Sequence, residues 1–354
     1  MIKDFENYIN KAVEDKVFPG CNIAVITKNN QGYKEYFKSF GLKAILPEEE
    51  VNNIDTMYDM ASCTKVISTV SCLLKLVEQD KVGLYDKVAE YLPEFLNKNI
   101  NIWNLTTHTS GLPPMLKDSH EMTRDEIYTA AMKVIAIYEI GTKIVYSDIN
   151  FLIIGLIVEK VSGITLDKFA KKYIFDPLDM KDTMFNPTDI KRCAPTEDRG
   201  DHIDRGYVHD EMAHNFDGVA GHAGLFSTVK DLSHFGEMIL NDGMYKGKKV
   251  FSKAAIDLLF RPQVQTAMGN SLRLEQRSIG WIIDSRMSNC GELASPETIC
   301  HTGFTGTNIV IDRKTGLCFI MLANRVHPTR KNTKIIPFRR RVANYVYAHI
   351  EDFQ

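Results

Sequence analysis

Asp59-Met60-Ala61-Ser62-Cys63-Thr64-Lys65 runs straight into Val66-Ile67-Ser68-Thr69-Val70-Ser71-Cys72-Leu73-Leu74-Lys75-Leu76-Val77. Apolar residues at 66, 67, 70, 73, 74 and 77 repeat with the spacing of one buried helical face. Ser62 then stands at the mouth of a buried helix and Lys65 lies one turn inside, on the same face. A serine there is an ordinary N-cap. The lysine is not ordinary, because a capping box places Glu or Gln at that position and a first-turn cation faces the positive end of the helix dipole. Burial and the dipole together are expected to lower the Lys65 pKa, leaving a neutral base beside a nucleophilic hydroxyl. A second Ser-x-x-Lys, Ser227-Thr228-Val229-Lys230, has a local explanation: Thr228 and Asp231 form a capping box for the helix that follows.

The chain has 354 residues, 44% of them hydrophobic, and a formal net charge of −2. That is ample for a sizeable core, with two domains as the prior from length. The balance offers no nucleic-acid footprint, and Arg339-Arg340-Arg341 reads as the solvated face of a terminal helix. The longest apolar run, Ile149 to Val158, is too short to span a bilayer. The opening residues form an amphipathic helix without the pattern of a secretion signal. Seven cysteines without paired spacing point to reduced thiols and a cytoplasmic location. Cys21, Cys300 and Cys318 fall in strand-like runs and read as small core residues.

In chain order, Gly20 to Thr27 and Tyr33 to Phe40 read as strands around a turn at Lys28 to Gly32. From the Ser62 stretch to about Pro187 the signals are mostly helical, broken at Gly83, Pro93, Gly111 to Pro114 and Gly163. Tyr146 precedes a strongly apolar helix, Ile149 to Val161, that Ser147 or Asp148 would cap. Tyr146 by itself reads first as a core aromatic with its hydroxyl bonded. The polar stretch 191 to 222 carries His202, Asp204, His209, Asp210, Glu211, His214 and His222. No His pair falls on an evident helix face there, so a loop layer over a cleft is favoured above a metal site. Strands are expected at Ile279 to Asp284, Thr298 to His301, Thr307 to Asp312 and Leu317 to Ala323, before a closing helix at Ile335 to Ile350. Arg313-Lys314-Thr315-Gly316 makes the hairpin turn between the last two strands.

Ser62/Lys65, Tyr146 and His301-Thr302-Gly303, in that order, resemble the serine beta-lactamase-related family, which includes class C beta-lactamases, penicillin-binding DD-peptidases, D-aminopeptidases and esterases. Leu105 to Pro113 and Gly221 to Thr228 extend the likeness over nearly the whole chain. The resemblance implies an α+β fold (an α/β sandwich of beta-lactamase/transpeptidase type): an antiparallel sheet from both termini, flanked by helices, with a mostly helical insertion. On that pattern residues 1–65 and 220–354 form the sheet domain and 66–219 the insertion, with the active site between them. Ser62 would be the nucleophile, Lys65 its basic partner and Tyr146 the second proton carrier. His301 would face Tyr146 across the cleft. The N–H groups of Ser62 and Phe304 would form the oxyanion hole, with Gly303, Asp148 and His222 completing the substrate-facing set. Lys314-Thr315-Gly316 matches the commonest form of the third motif literally, but its hairpin position sets it aside.

Two departures bear on substrate. Histidine in place of lysine at 301 turns a fixed charge into a titratable one, expected to act between pH 6 and 8. Aspartate in place of asparagine at 148 removes an amide donor and would bind an amine, including Lys65. Both argue against efficient beta-lactam hydrolysis. The expectation is a cofactor-independent serine hydrolase forming an acyl-enzyme on a small-molecule or peptide substrate, an ester or D-amino-acid amide of cell-wall type. The alternatives are a true beta-lactamase or DD-carboxypeptidase, a non-catalytic muropeptide or penicillin sensor, and a metallohydrolase using the 202–222 histidines. Substrate choice is expected in the loops 112–125, 196–222 and 285–297; oligomeric state has no sequence signal.

Overall fold

Strands from both ends of the chain build one antiparallel sheet. The structure is a computed structural model that describes residues 2–29, 32–267, 274–283 and 289–354. The sheet contains β1 (Gly20–Asn29), β2 (Gly32–Ala44), β3 (Glu50–Val51), β4 (Val264–Ala267), β5 (Leu274–Arg277), β6 (Ile282–Ile283), β7 (Thr298–Thr302), β8 (Asn308–Asp312) and β9 (Leu317–Ala323), in the spatial order β3-β2-β1-β9-β8-β7-β6-β5-β4. The N-terminal strand β1 thus pairs with the C-terminal β9, Ile23 opposite Met321. β8 and β9 are buried along their whole length, as central strands covered on both faces must be.

Successive residues of β1 point to opposite faces of the sheet. Ile23 and Val25 enter a core with Phe5, Ile9, Val342 and Val346, from α1 (Ile2–Glu14) and α5 (Ile335–Ala348). Ala24 and Ile26 enter the larger core on the other face, shared with α2 (Ser71–Glu78), α3 (Asp148–Ser162) and α4 (Val229–Leu240). Every residue of α3 from Ile149 to Val158 is buried, the mark of a helix apolar all round and packed at the centre. It ends at Gly163, whose φ of 74° is the left-handed C-cap conformation glycine adopts freely. All seven cysteines are buried thiols. Among the described residues no single helix is long and apolar enough to cross a membrane.

Local details depart from the sequence reading in four places. The Ser62 stretch is not one α-helix: Ala61–Cys63 is a 3₁₀ turn, Lys65–Val70 is π-helical, and α2 follows. Ser147 does not cap α3, because its hydroxyl donates to the Pro113 carbonyl at 2.6 Å. Arg339 is not solvated but 6% exposed. The edge strand β4 and its neighbour β5 carried no clear period and were not expected. Asn30, Gln31 and Asp284, from the expected turn and strand, lie outside the described residues.

Candidate active site

Ser62 sits where three segments converge on the end of β7. The residue before it, Ala61, has φ +45°, a strained conformation for a residue with a Cβ. Asp59 holds that strain: its carboxylate accepts from the Ala61 N–H at 2.8 Å and from the His209 N–H at 2.8 Å. Burial pushes the Asp59 pKa up to about 6 against those two backbone donors. Thr305 donates to the Asp59 carbonyl at 2.7 Å and Thr307 to the Met60 carbonyl at 3.1 Å, so the strand end is tied to the serine turn. Gly303 is required at this crossing, since a Cβ there would lie 2.5 Å from the Met60 oxygen.

Lys65 is fully buried. Its Nζ donates to Ser62 Oγ at 2.9 Å and to the His222 carbonyl at 3.0 Å, and it pairs with Asp148 Oδ1 at 2.7 Å. Burial works against the ammonium, as the sequence suggested, but the Asp148 carboxylate and then Tyr146 outweigh it and raise the pKa. The expected neutral amine is therefore corrected: Lys65 is a cation that donates to Ser62. Local position disfavoured the charge, and an anion from the start of α3 restored it.

Tyr146 is about one-third exposed (36%), with Lys65 Nζ 5.0 Å from its ring centre. Burial of its hydroxyl raises its pKa; the Lys65 charge opposes this, the Asp148 charge adds to it, and hydrogen bonding with Lys65 and Ser62 again opposes it. His108, unremarked in the sequence beyond its flanking stretch, packs its ring 4.6 Å from that of Tyr146. Its Nδ1 lies 3.1 Å from the Ser147 N–H and 3.2 Å from Asn150 Nδ2, so it accepts from both and fixes the Tyr146 segment. Burial, then Arg277, Lys65 and His301, hold its pKa well below 6.5.

His301 is 2% exposed, its ring 6.3 Å from that of Tyr146. Nδ1 lies 3.0 Å from the Thr302 carbonyl, which can only accept, so Nδ1 carries the proton and Nε2 is the basic nitrogen. Burial, then the charges of Lys65 and Arg277, hold the pKa well below 6.5. The expected titration between pH 6 and 8 is thereby overturned: His301 is neutral throughout that window. Arg277, at the end of β5, brings its guanidinium carbon to 5.5 Å from the Tyr146 ring centre. No local pattern marked that residue.

Phe304 follows β7, beyond the last ladder pair Thr302–Asn308. Its ring stacks on His209 with centres 5.7 Å apart and takes Arg325 on a face at 4.3 Å. His222 is corrected from a substrate contact to a buried brace, fully enclosed: its carbonyl anchors Lys65 and its Nε2 meets Asp210 Oδ1 at 2.9 Å. Gly221 permits this, because a Cβ there would strike the Phe151 carbonyl at 2.0 Å. Ser227 is fully buried and bonded to Thr183 at 2.8 Å. Among the described residues no three His, Cys, Asp or Glu side chains converge on one metal position.

The sequence matches the beta-lactamase family model over residues 5–344. The chain belongs to the beta-lactamase family. Within this family it is 32% identical to a Bacillus subtilis (strain 168) protein named N-acetylmuramyl-L-alanine amidase, over 88% of this chain and 78% of that one. It is 30% identical to a Salmonella agona (strain SL483) protein provisionally named D-alanyl-D-alanine carboxypeptidase, over 91% and 82%. Solved structures share the beta-lactamase fold at lower identity. EstCE1, a hydrolase with promiscuous acyltransferase activity, superposes with a TM-score of 0.77 at 18% identity, over 98% of each chain. An octameric penicillin-binding protein homologue from Pyrococcus abyssi gives 0.75 at 20%, over 99% of this chain and 77% of its own.

Proposed function

We propose that this beta-lactamase-family protein is a serine acyl-transfer hydrolase acting on an ester or a D-amino-acid amide or peptide of cell-wall type. The observation that carries the reading is Lys65 Nζ, held by Asp148 and placed 2.9 Å from Ser62 Oγ beside Tyr146. Ser62 Oγ attacks the substrate carbonyl carbon. Because Lys65 is already an ammonium, the serine proton passes to the Tyr146 oxygen while Tyr146 gives its own to the leaving group. The Lys65 charge stabilises the anionic character that builds on both oxygens during this relay. The Ser62 and Phe304 N–H groups receive the carbonyl oxygen. Water then releases the acyl group by the same relay in reverse, restoring Ser62. The relatives named for a muramyl amidase and a D-alanyl carboxypeptidase support a cell-wall amide as substrate.

Mass spectrometry after incubation with a fluorophosphonate, and separately with benzylpenicillin, tests the proposal. Covalent mass on Ser62 is expected, lost in Ser62→Ala and retained in Ser227→Ala. Labelling that survived Ser62→Ala would sink it.

A further inference from the structure

The arginine run that looked solvated contains one side chain that leaves the helix face for the interior. Arg339, near the start of α5, is 6% exposed and donates from Nη2 to the carbonyl of Gly303. That carbonyl and the Phe304 N–H belong to one peptide group. A planar peptide conducts polarisation from oxygen to nitrogen, so a cation bonded to its C=O makes its N–H a stronger donor. The neighbouring peptide is held as well: Arg325 Nε donates to the Phe304 carbonyl at 2.8 Å and its guanidinium covers the Phe304 ring. Gly303 N–H in turn donates to the Thr307 carbonyl at 2.9 Å. Burial pulls the Arg339 pKa down to about 10, which leaves it charged at neutral pH.

The geometry points to Arg339 as a positioning residue of the acyl-transfer site, a buried cation that polarises the Gly303–Phe304 peptide and so strengthens its oxyanion donor. The inference rests on the reading of Ser62 and Phe304 given above. It explains why a full charge is buried at the end of β7, where a neutral donor would satisfy the carbonyl. Arg339 need not touch substrate.

One oxyanion-hole donor is worth about 10²–10³ in turnover and a polarising bond strengthens a neighbour by roughly 10–30%, so the effect is roughly two- to eightfold. The experiment measures kcat/KM for p-nitrophenyl acetate and for its thionoacetate, whose sulfur is a poor hydrogen-bond acceptor. Arg339→Met is expected to lower the oxo rate by that factor while changing the thiono rate little, so the oxo/thiono ratio falls. A residue that merely shaped the strand end would depress both rates alike, and an unchanged ratio would overturn the inference. Arg339→Gln, which keeps a neutral donor of similar shape, should fall between wild type and Arg339→Met; it carries the test if the methionine variant does not fold. Failure of both to fold would assign Arg339 to structure alone and overturn it too. Ser62→Ala runs alongside: hydrolysis persisting there refutes the underlying acyl-transfer reading, whereas an unchanged ratio with Ser62 essential refutes only the role of Arg339.

Discussion

Asp148 decides the charge state of the site. One carboxylate at 2.7 Å from Lys65 reverses what burial alone would do, and it also pushes the Tyr146 hydroxyl towards its protonated form. Removing that anion lowers both pKa values. Asp148→Asn is therefore expected to move the alkaline limb of the kcat/KM profile on a neutral ester to lower pH; a limb that stayed in place would show that neither group titrates there. His301 offers the converse case. Its pKa lies well below 6.5, so His301→Gln should change the rate but not the shape of the profile between pH 6 and 8. Tyr146→Phe should cost ~10²–10⁴ in turnover, measured by steady-state ester hydrolysis, with Ser62 labelling less affected than turnover.

The elements matter through where they end. β7 delivers Gly303 and Phe304 to the 3₁₀ turn of Ser62, and two threonines tie the crossing. A methyl group at 303 would collide with the Met60 carbonyl, which belongs to backbone and cannot swing aside. Gly303→Ala should cost about 1–3 kcal/mol in urea unfolding. It should also slow turnover roughly 10²-fold by displacing the oxyanion donors from the nucleophile. Gly316 is also tightly held, with φ +68° and the Lys28 oxygen 2.5 Å from where a Cβ would lie, so turnover is what separates the two: an equal fall in kcat of folded Gly316→Ala, at the hairpin turn carrying the literal Lys-Thr-Gly, would mean that the wrong motif had been assigned. The π-helical turn that carries Lys65 belongs to the same economy of ends, since such turns recur where a side chain must be aimed.

Across the molecule, the sheet puts Ser62, Lys65 and Tyr146 on one face, and Arg339 of α5 is the side chain that reaches their strand end from the other. The site draws on the core shared by Met60, Cys63, Val66 and Phe151. The opposite face is closed by α1 and α5, where Phe5 packs against Tyr36, Tyr345 and Phe353 with ring centres 5.4–6.1 Å apart. Phe5→Ala should therefore lose about 3–5 kcal/mol of stability with turnover unchanged at temperatures well below unfolding. A matched fall in kcat of the folded variant would show that the two faces are coupled.

Short-range pattern singled out Ser62 and Lys65, put Lys314 to Gly316 in a hairpin turn, and placed β9 and α3 to within a residue or two, while Tyr146 and the His301 motif were candidates through the ordered likeness to the family. Those features are written locally, in three-residue spacings, apolar periods and glycine punctuation. Protonation and burial were not, because they depend on what the fold brings alongside. The Lys65 ammonium needs Asp148, the neutrality of His301 needs burial and the charges of Lys65 and Arg277, the last from a strand with no period of its own, and the strained turn before Ser62 needs Asp59 and Thr307. Arg339 shows the limit most plainly: within its helix it is one of three like residues, and only the packing of α5 against the end of β7 sets it apart as the buried one. A charge takes its energy from its surroundings, and surroundings are a tertiary property.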